Sequence, residues 1–297
     1  MTLRLLEESR ITKFAESETR LEIDPPEFAA KFNREPFLIG HHLDDHPLFD
    51  LPRLVELSRA LPEHSIEYNA GTLPMSIDPN LTPRNGLSAE ETIRRIEECR
   101  SWMVLKDVQQ DPDYLKLLNE CLAEVRPHSE PLVPGMRHAQ AFIFITSPNS
   151  VTPYHIDPEH NFLLQVRGSK TVNLFDGRDR TLLRDDELEY FYAVKPRNLN
   201  FREENRDKAW VYDLQSGYGL HFPVTYPHWV QNGDAVSISF SITFRTPDLE
   251  RRRSVYALNY RLRQRGFQPT PFGQSPWVDG VKYQSQRVWS KLFSRGK

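Results

Sequence analysis

The chain has 297 residues, 38% of them hydrophobic and 27% charged, enough to bury a sizeable core in one large domain or two ordinary ones. Its two cysteines, Cys99 and Cys121, are too few for a disulfide framework or a thiolate metal site, and no stretch approaches the roughly 20 apolar residues of a membrane span. The net charge of −3 hides an asymmetry: residues 251–297 carry 11 Lys or Arg against one acid, Asp279, so the tail is near +10 and the rest near −13.

Met1–Glu8 places charges inside a short apolar run, which does not read as a signal peptide. With no span and no disulfides, the expected setting is a reducing cytoplasm. Pro25 and Pro26 open a helix over residues 27–33, and Pro36–Gly40 reads as a short buried strand ended by glycine. Leu51, Leu54, Val55 and Leu57 mark one face of a helix over residues 51–61. Residues 69–87, with Pro74, Pro79, Pro83 and Gly86, read as a loop. Ser88 and Glu91 form a capping box that opens a helix to about Arg100. Trp102–Leu105 then reads as a strand, and Asp111–Pro112 starts a helix through Val125.

From residue 138 the pattern changes to short apolar runs separated by turns, at 139–146, 162–166, 171–175, 210–214, 219–222, 228–230 and 236–246. Many short strands at this spacing point to a sandwich or barrel. The run from Val236 to Phe244 alternates strictly and is expected to turn its apolar side into the core. Residues 176–209 are too long and charged for a hairpin loop and read as an insertion with some helix, a candidate lid. After Thr246 the period is helical again: Val255, Leu258 and Leu262 share a face, with Arg252, Arg253, Arg261 and Arg263 on the other. Val281, Val288 and Leu292 mark a last helix.

The chemistry concentrates at Thr152-Pro-Tyr-His-Ile-Asp157. His155 and Asp157 are two apart, and on a strand residues i and i+2 point to the same face. One imidazole and one carboxylate together supply two of the three ligands of a facial metal triad. A later strand offers the third as His228, with His221 as the competing histidine; His160, three beyond Asp157, falls outside the alternation. Lys170 sits in a strand that is otherwise buried, and an inward lysine requires an anion. Arg167, three residues earlier, should face the other way.

His155-Ile-Asp157, Asn161, Gly168-Ser-Lys170 and Pro223…His228-x-Val230-x-Asn232 resemble the JmjC/cupin-8 group of Fe(II)/2-oxoglutarate oxygenases, and within it asparaginyl hydroxylases of the factor-inhibiting-HIF type. The resemblance covers residues 138–246, with a weaker likeness at Phe28–Gly40. It favours His228 over His221 as third ligand. It implies that Fe(II) binds His155, Asp157 and His228, and that Thr152 and Lys170 bind the C5 carboxylate of 2-oxoglutarate. Asn161 then lies beside the co-substrate or a ligand. O2 completes the reaction, which couples hydroxylation, expected on a protein side chain, to decarboxylation of 2-oxoglutarate to succinate. Such proteins usually add an upstream aromatic hydroxyl to the carboxylate pocket; the candidate segment Trp102–Leu105 holds no tyrosine. The implied fold is a double-stranded β-helix (jelly-roll) core at 138–246, an N-terminal α/β region (1–137) extending one sheet, and a basic helical region (247–297) forming a homodimer. Three rival readings are a small-molecule hydroxylase, a cupin holding Zn(II) or Ni(II) without 2-oxoglutarate, and a non-catalytic module whose basic tail binds nucleic acid; the plainer use of that tail is docking on the acidic body or on a second subunit.

Overall fold

The computed structural model describes residues 19–71, 73–74, 76, 82–194 and 198–293. The charged leader at Met1–Glu8 lies outside the described residues, as does much of the Pro-rich loop. In chain order the first elements are β1 (Leu21–Glu22), α1 (Pro25–Lys31), β2 (Phe37–His41), α2 (Leu51–Ala60), β3 (Ile66–Ala70) and α3 (Ala89–Arg94). Next come β4 (Ser101–Lys106), α4 (Pro112–Ser129), β5 (Arg137–Thr146), β6 (Val151–His155), β7 (His160–Arg167) and β8 (Ser169–Leu174). The remainder is α5 (Asp185–Val194), β9 (Trp210–Gln215), β10 (Tyr218–Phe222), β11 (His228–Asn232), β12 (Ser237–Arg245), α6 (Pro247–Arg263) and α7 (Pro276–Phe293).

The strands form two antiparallel sheets, an eight-stranded one ordered β1-β2-β10-β7-β12-β5-β4-β3 and a four-stranded one ordered β6-β11-β8-β9. Strands β5 to β12 are thus dealt between two sheets, as a jelly roll requires. The N-terminal strands lengthen the larger sheet at both edges, β1 and β2 beyond β10 and β3 and β4 beyond β5.

Alternation along β12 decides where the core lies. Ile238, Phe240, Ile242 and Phe244 are fully buried in a cluster with Phe28, Leu54, Leu57, Tyr114 and Leu118 of the helical layer. Truncating one such aromatic typically costs about 3–5 kcal/mol. The opposite face of β12 is hydroxylic: Ser239 Oγ donates to Gln165 Oε1 (2.7 Å) and Ser241 Oγ donates to Asn161 Oδ1 (2.8 Å). A second, smaller cluster of Leu163, Leu220 and Phe222 with Val172, Leu174, Leu214 and Val230 joins the two sheets. The major core is therefore between helices and sheet, and the space between the sheets is left partly polar.

Several expected elements shift. The capping box at Ser88 and Glu91 is formed, but α3 stops at Arg94 rather than Arg100. The chain instead turns through Arg95–Cys99 and takes a left-handed conformation at Arg100 (φ 48°) before entering β4. β3 occupies the start of the stretch read as a loop, because it pairs with β4 along its whole length. Gly168 carries the tight β7–β8 connection at φ 71°, where a Cβ would lie 2.4 Å from the Val236 carbonyl oxygen.

The tail helix is also rotated from the expected phase. The buried face of α6 is Leu249, Val255, Tyr256 and Asn259, while Leu258 and Leu262 are only half-buried. The reason is its partner, α5, which offers aromatic and acidic groups: Tyr256 stacks on Tyr192 (5.3 Å between centroids), and Arg263 donates to both oxygens of fully buried Glu189 (2.7 and 3.0 Å). Arg252 is correspondingly turned inward, not outward, and its Nη2 donates to Thr225 Oγ1 (2.8 Å).

Candidate metal and co-substrate site

β6 ends at His155 and β11 begins at His228, and the two residues are directly paired across the antiparallel ladder. The register slips just after them, between His228 and Val230, an irregularity that re-aims side chains at a strand end. Asp157 follows two residues on. Its carbonyl oxygen accepts the Thr225 N–H (2.9 Å), and Thr225 is itself held in a left-handed conformation (φ 61°) under Arg252. One ligand atom each from His155, Asp157 and His228 lies within 4.8 Å of the others.

Hydrogen bonds set the tautomers. His155 Nδ1 donates to the Pro153 carbonyl (2.7 Å) and His228 Nδ1 to that of Tyr226 (3.0 Å), which leaves both Nε2 lone pairs directed inward. They face the two carboxylate oxygens of Asp157 at 4.0 and 3.8 Å. Burial and the neighbouring His155 push the His228 imidazolium down to about 4, so this imidazole is neutral at physiological pH. Two imidazole nitrogens and one carboxylate converging on a point are a donor set suited to a divalent transition metal such as Fe(II).

Asn161 bridges this set to the larger sheet. Its Nδ2 donates to Asp157 Oδ2 (3.2 Å) while its Oδ1 accepts from Ser241, so it fixes the carboxylate's orientation. Asn161 also lines both cavities that meet at the triad.

Two cavities meet at the triad. The smaller, about 40 Å3, is lined by Lys170, Thr152, Thr146, Leu163, Phe222 and Val230 together with the three ligands. Lys170 alternates inward with Val172 and Leu174 along β8 and is 5% exposed, and its ammonium makes no hydrogen bond or ion pair with the described residues. Burial alone pushes its ammonium down to about 7. Arg167, by contrast, is exposed at the end of β7. The larger cavity, about 290 Å3, is walled by Trp102, Phe142, Phe144 and Phe191 and reaches the same His155 and Asp157.

Three supporting contacts are legible only in the structure, although Trp102 and Asn232 stand in segments singled out from the sequence. Trp102 Nε1 donates to Thr152 Oγ1 (3.1 Å), so an indole stands where an aromatic hydroxyl was sought. Asn232 Nδ2 donates to Thr146 Oγ1 on the pocket wall (2.5 Å). Glu159, on the wall of the larger cavity, is held by Arg245 (2.5 Å). No local signal in the sequence pairs these residues, since each contact spans 50 or more positions. His221 is not at the triad: it stacks on Phe32, lies tilted against Phe162, and bonds to the Asn33 and Asn161 backbone. His160 lies between Phe32 and Phe244.

Comparison with known proteins agrees with this architecture. The family model described as a cupin-like domain (Cupin_8) matches residues 83–249, more than half of the chain. No curated protein matches the sequence. Among solved structures, one of Escherichia coli YcfD has a TM-score of 0.51 at 14% identity, covering 94% of this chain and 70% of that one. A second, described as the E. coli ribosomal oxygenase YcfD, has a TM-score of 0.49 at 14% identity, with coverage of 94% and 69%. A third, of the same protein with cobalt and 2-oxoglutarate, has a TM-score of 0.46 at 13% identity, with coverage of 91% and 67%. At these identities the likeness is one of fold. The jelly roll observed here and the family match over its whole length lead to one assignment: the chain belongs to the cupin-like domain family, Cupin_8.

Proposed function

We propose that this protein is an Fe(II)- and 2-oxoglutarate-dependent oxygenase that hydroxylates a side chain of a protein substrate. The observation that carries the reading is Lys170: a buried, unpartnered lysine opening on the same cavity as two imidazoles and a carboxylate. A buried ammonium is costly without an anion. A dicarboxylate that reaches the metal with one end and Lys170 with the other removes that cost.

In this reading His155, Asp157 and His228 hold the iron, and Asn161 keeps the Asp157 carboxylate turned toward it. Lys170 neutralises the far carboxylate of 2-oxoglutarate. Thr152 accepts the Trp102 N–H, so its own O–H is free to donate to that carboxylate. When bound, iron and 2-oxoglutarate together supply activation of O2, with succinate and CO2 released as the substrate gains a hydroxyl. Trp102, Phe142, Phe144 and Phe191 wall the larger cavity with apolar surface, which keeps bulk water from the reacting carbon.

The walls of that cavity also bear on the substrate. Among the described residues, its charges outside the triad are paired, Lys106 with Glu67 (2.6 Å) and Glu159 with Arg245 (2.5 Å). A free metabolite carrying a carboxylate or phosphate needs an unpaired cation there, whereas an uncharged side chain presented by a polypeptide does not. No described helix is long and apolar enough to cross a membrane, and free Cys99 and Cys121 suit a reducing cytoplasm. A second copy of the chain is the proposed cover for α7, whose Trp277, Val281 and Val288 share one face and are 77%, 50% and 57% exposed. Sedimentation of the full chain checks the dimer.

The central test is turnover. Wild-type protein with Fe(II) should convert 2-oxoglutarate to succinate, Asp157→Ala should not, and circular dichroism should show both folded. Equal succinate from the two would end the proposal. Mass spectrometry of proteins and of metabolites after incubation then assigns the added oxygen, and an oxidised product confined to the small-molecule fraction would exclude the protein substrate.

A further inference from the structure

Glu159 stands in the connection between β6 and β7, two residues beyond Asp157, and lines the larger cavity. Arg245, at the end of β12, directs both of its bonds to one carboxylate oxygen, Oε1: Nε at 3.2 Å and Nη2 at 2.5 Å. No other side chain among the described residues donates to Glu159, so Oε2 lacks a side-chain partner although the side chain is only 14% exposed. A carboxylate oxygen withdrawn from water without a donor is costly. Two hydroxyls of the same cavity share this chemistry. Ser241 Oγ donates its proton to Asn161 Oδ1 (2.8 Å) and Thr243 Oγ1 donates to the Gln140 carbonyl (3.2 Å), so each keeps lone pairs for a further donor. Ser241, Thr243 and Arg245 alternate on one face of β12, which sets the two hydroxyls and the anchor of Glu159 in one row.

We propose that Glu159 is the specificity-determining residue of this site, its Oε2 accepting a hydrogen bond from the substrate side chain that is hydroxylated. The inference rests on the oxygenase reading above and narrows its substrate to polypeptide residues whose side-chain nitrogen carries more than one hydrogen. Three acceptors, Glu159, Ser241 and Thr243, suit a group with several donors; a hydroxyl or a neutral imidazole has one, and an aliphatic or carboxylate side chain has none. Arg245 holds the carboxylate in place and balances its charge, so the substrate supplies a directed hydrogen bond. Because Glu159 follows Asp157 so closely, a group bonded to it lies on the same stretch of wall as a metal ligand. A site built to bond a substrate N–H rejects an analogue lacking it, since the buried acceptor is then left unpaired.

The experiment incubates the full chain with Fe(II), 2-oxoglutarate and a proteolytic digest of total cell protein, and mass spectrometry locates the added oxygen. It should fall on asparagine, glutamine, arginine or lysine, and the residue found tells carboxamide, guanidinium and ammonium apart. A peptide carrying that site is then synthesised with the target residue and with an apolar residue of similar size in its place. Wild type should prefer the target by about tenfold to a hundredfold in kcat/KM, and Glu159→Leu should lose most of that preference. Glu159→Gln keeps the shape of the side chain and carries the same test if the leucine variant does not fold. Binding of Mn(II) and 2-oxoglutarate, followed by calorimetry, should match the wild type in both variants, because Glu159 contributes no ligand atom to the triad. Oxygen added only to residues without such a nitrogen, succinate formed with no oxidised peptide, or the same preference in wild type and both variants would each overturn this inference alone. A wild type that makes no succinate would overturn the oxygenase reading along with it.

Discussion

Replacing Lys170 with methionine tests the co-substrate site most directly. The change keeps the length and apolar stem of the side chain and removes only the ammonium, so the well-packed β8–β11 pair is left intact. A charge-assisted hydrogen bond to a buried carboxylate is worth about 1.5–3 kcal/mol, which is roughly tenfold to a hundredfold in affinity. Metal affinity should hardly move, because Lys170 contributes no ligand atom to the triad. Calorimetric titration of 2-oxoglutarate into protein loaded anaerobically with Mn(II) separates the two quantities. The pH dependence carries a second signature. In the free protein the Lys170 ammonium is pushed down from 10.5 to about 7, so above that pH it must take up a proton before it can hold the carboxylate. Apparent affinity for 2-oxoglutarate should weaken by up to about tenfold per pH unit above neutrality, and this slope should vanish in Lys170→Met. The sign for stability is the reverse: between about 7 and 10.5 the unfolded chain binds this proton and the folded chain does not. Free protein therefore gains stability from this group as pH rises through that window. Arg167→Ala is the matched control, since its side chain is exposed. If Arg167→Ala weakens 2-oxoglutarate and Lys170→Met does not, the assignment of the inward cation is wrong.

Trp102→Phe removes the indole N–H from Thr152 and should weaken 2-oxoglutarate a few-fold to about tenfold at unchanged metal affinity; a loss of metal instead would show that Trp102 supports the triad. Asn161→Ala releases the Asp157 carboxylate and leaves the Ser241 hydroxyl without its acceptor, so metal affinity measured with Mn(II) should fall about tenfold to a hundredfold. Arg252→Met breaks the link from α6 to Thr225 and thence to the backbone of Asp157. It should destabilise the fold by about 1.5–3 kcal/mol in denaturant titration, and an unchanged midpoint would refute the link.

The sequence alone determined whatever depends on short range. Strict alternation at β12, the i, i+2 spacing of His155 and Asp157, the inward phase of Lys170 with Val172 and Leu174, and the capping box at Ser88 are all carried by neighbours a few residues apart. The backbone's fixed periods convert such spacing directly into faces. Only the tertiary structure decided what depends on groups distant in the chain. It turned the apolar face of β12 toward the helices and its hydroxyl face toward the site, and paired His155 with His228 across a ladder. It also brought Trp102 onto Thr152 and rotated α6 so that Arg252 and Tyr256 face inward while Leu258 and Leu262 do not. That last reversal has a plain cause. An apolar stripe predicts a helix's buried face only when its neighbour is apolar, and α5 presents Glu189 and Tyr192, against which an arginine and a tyrosine pack better than leucine.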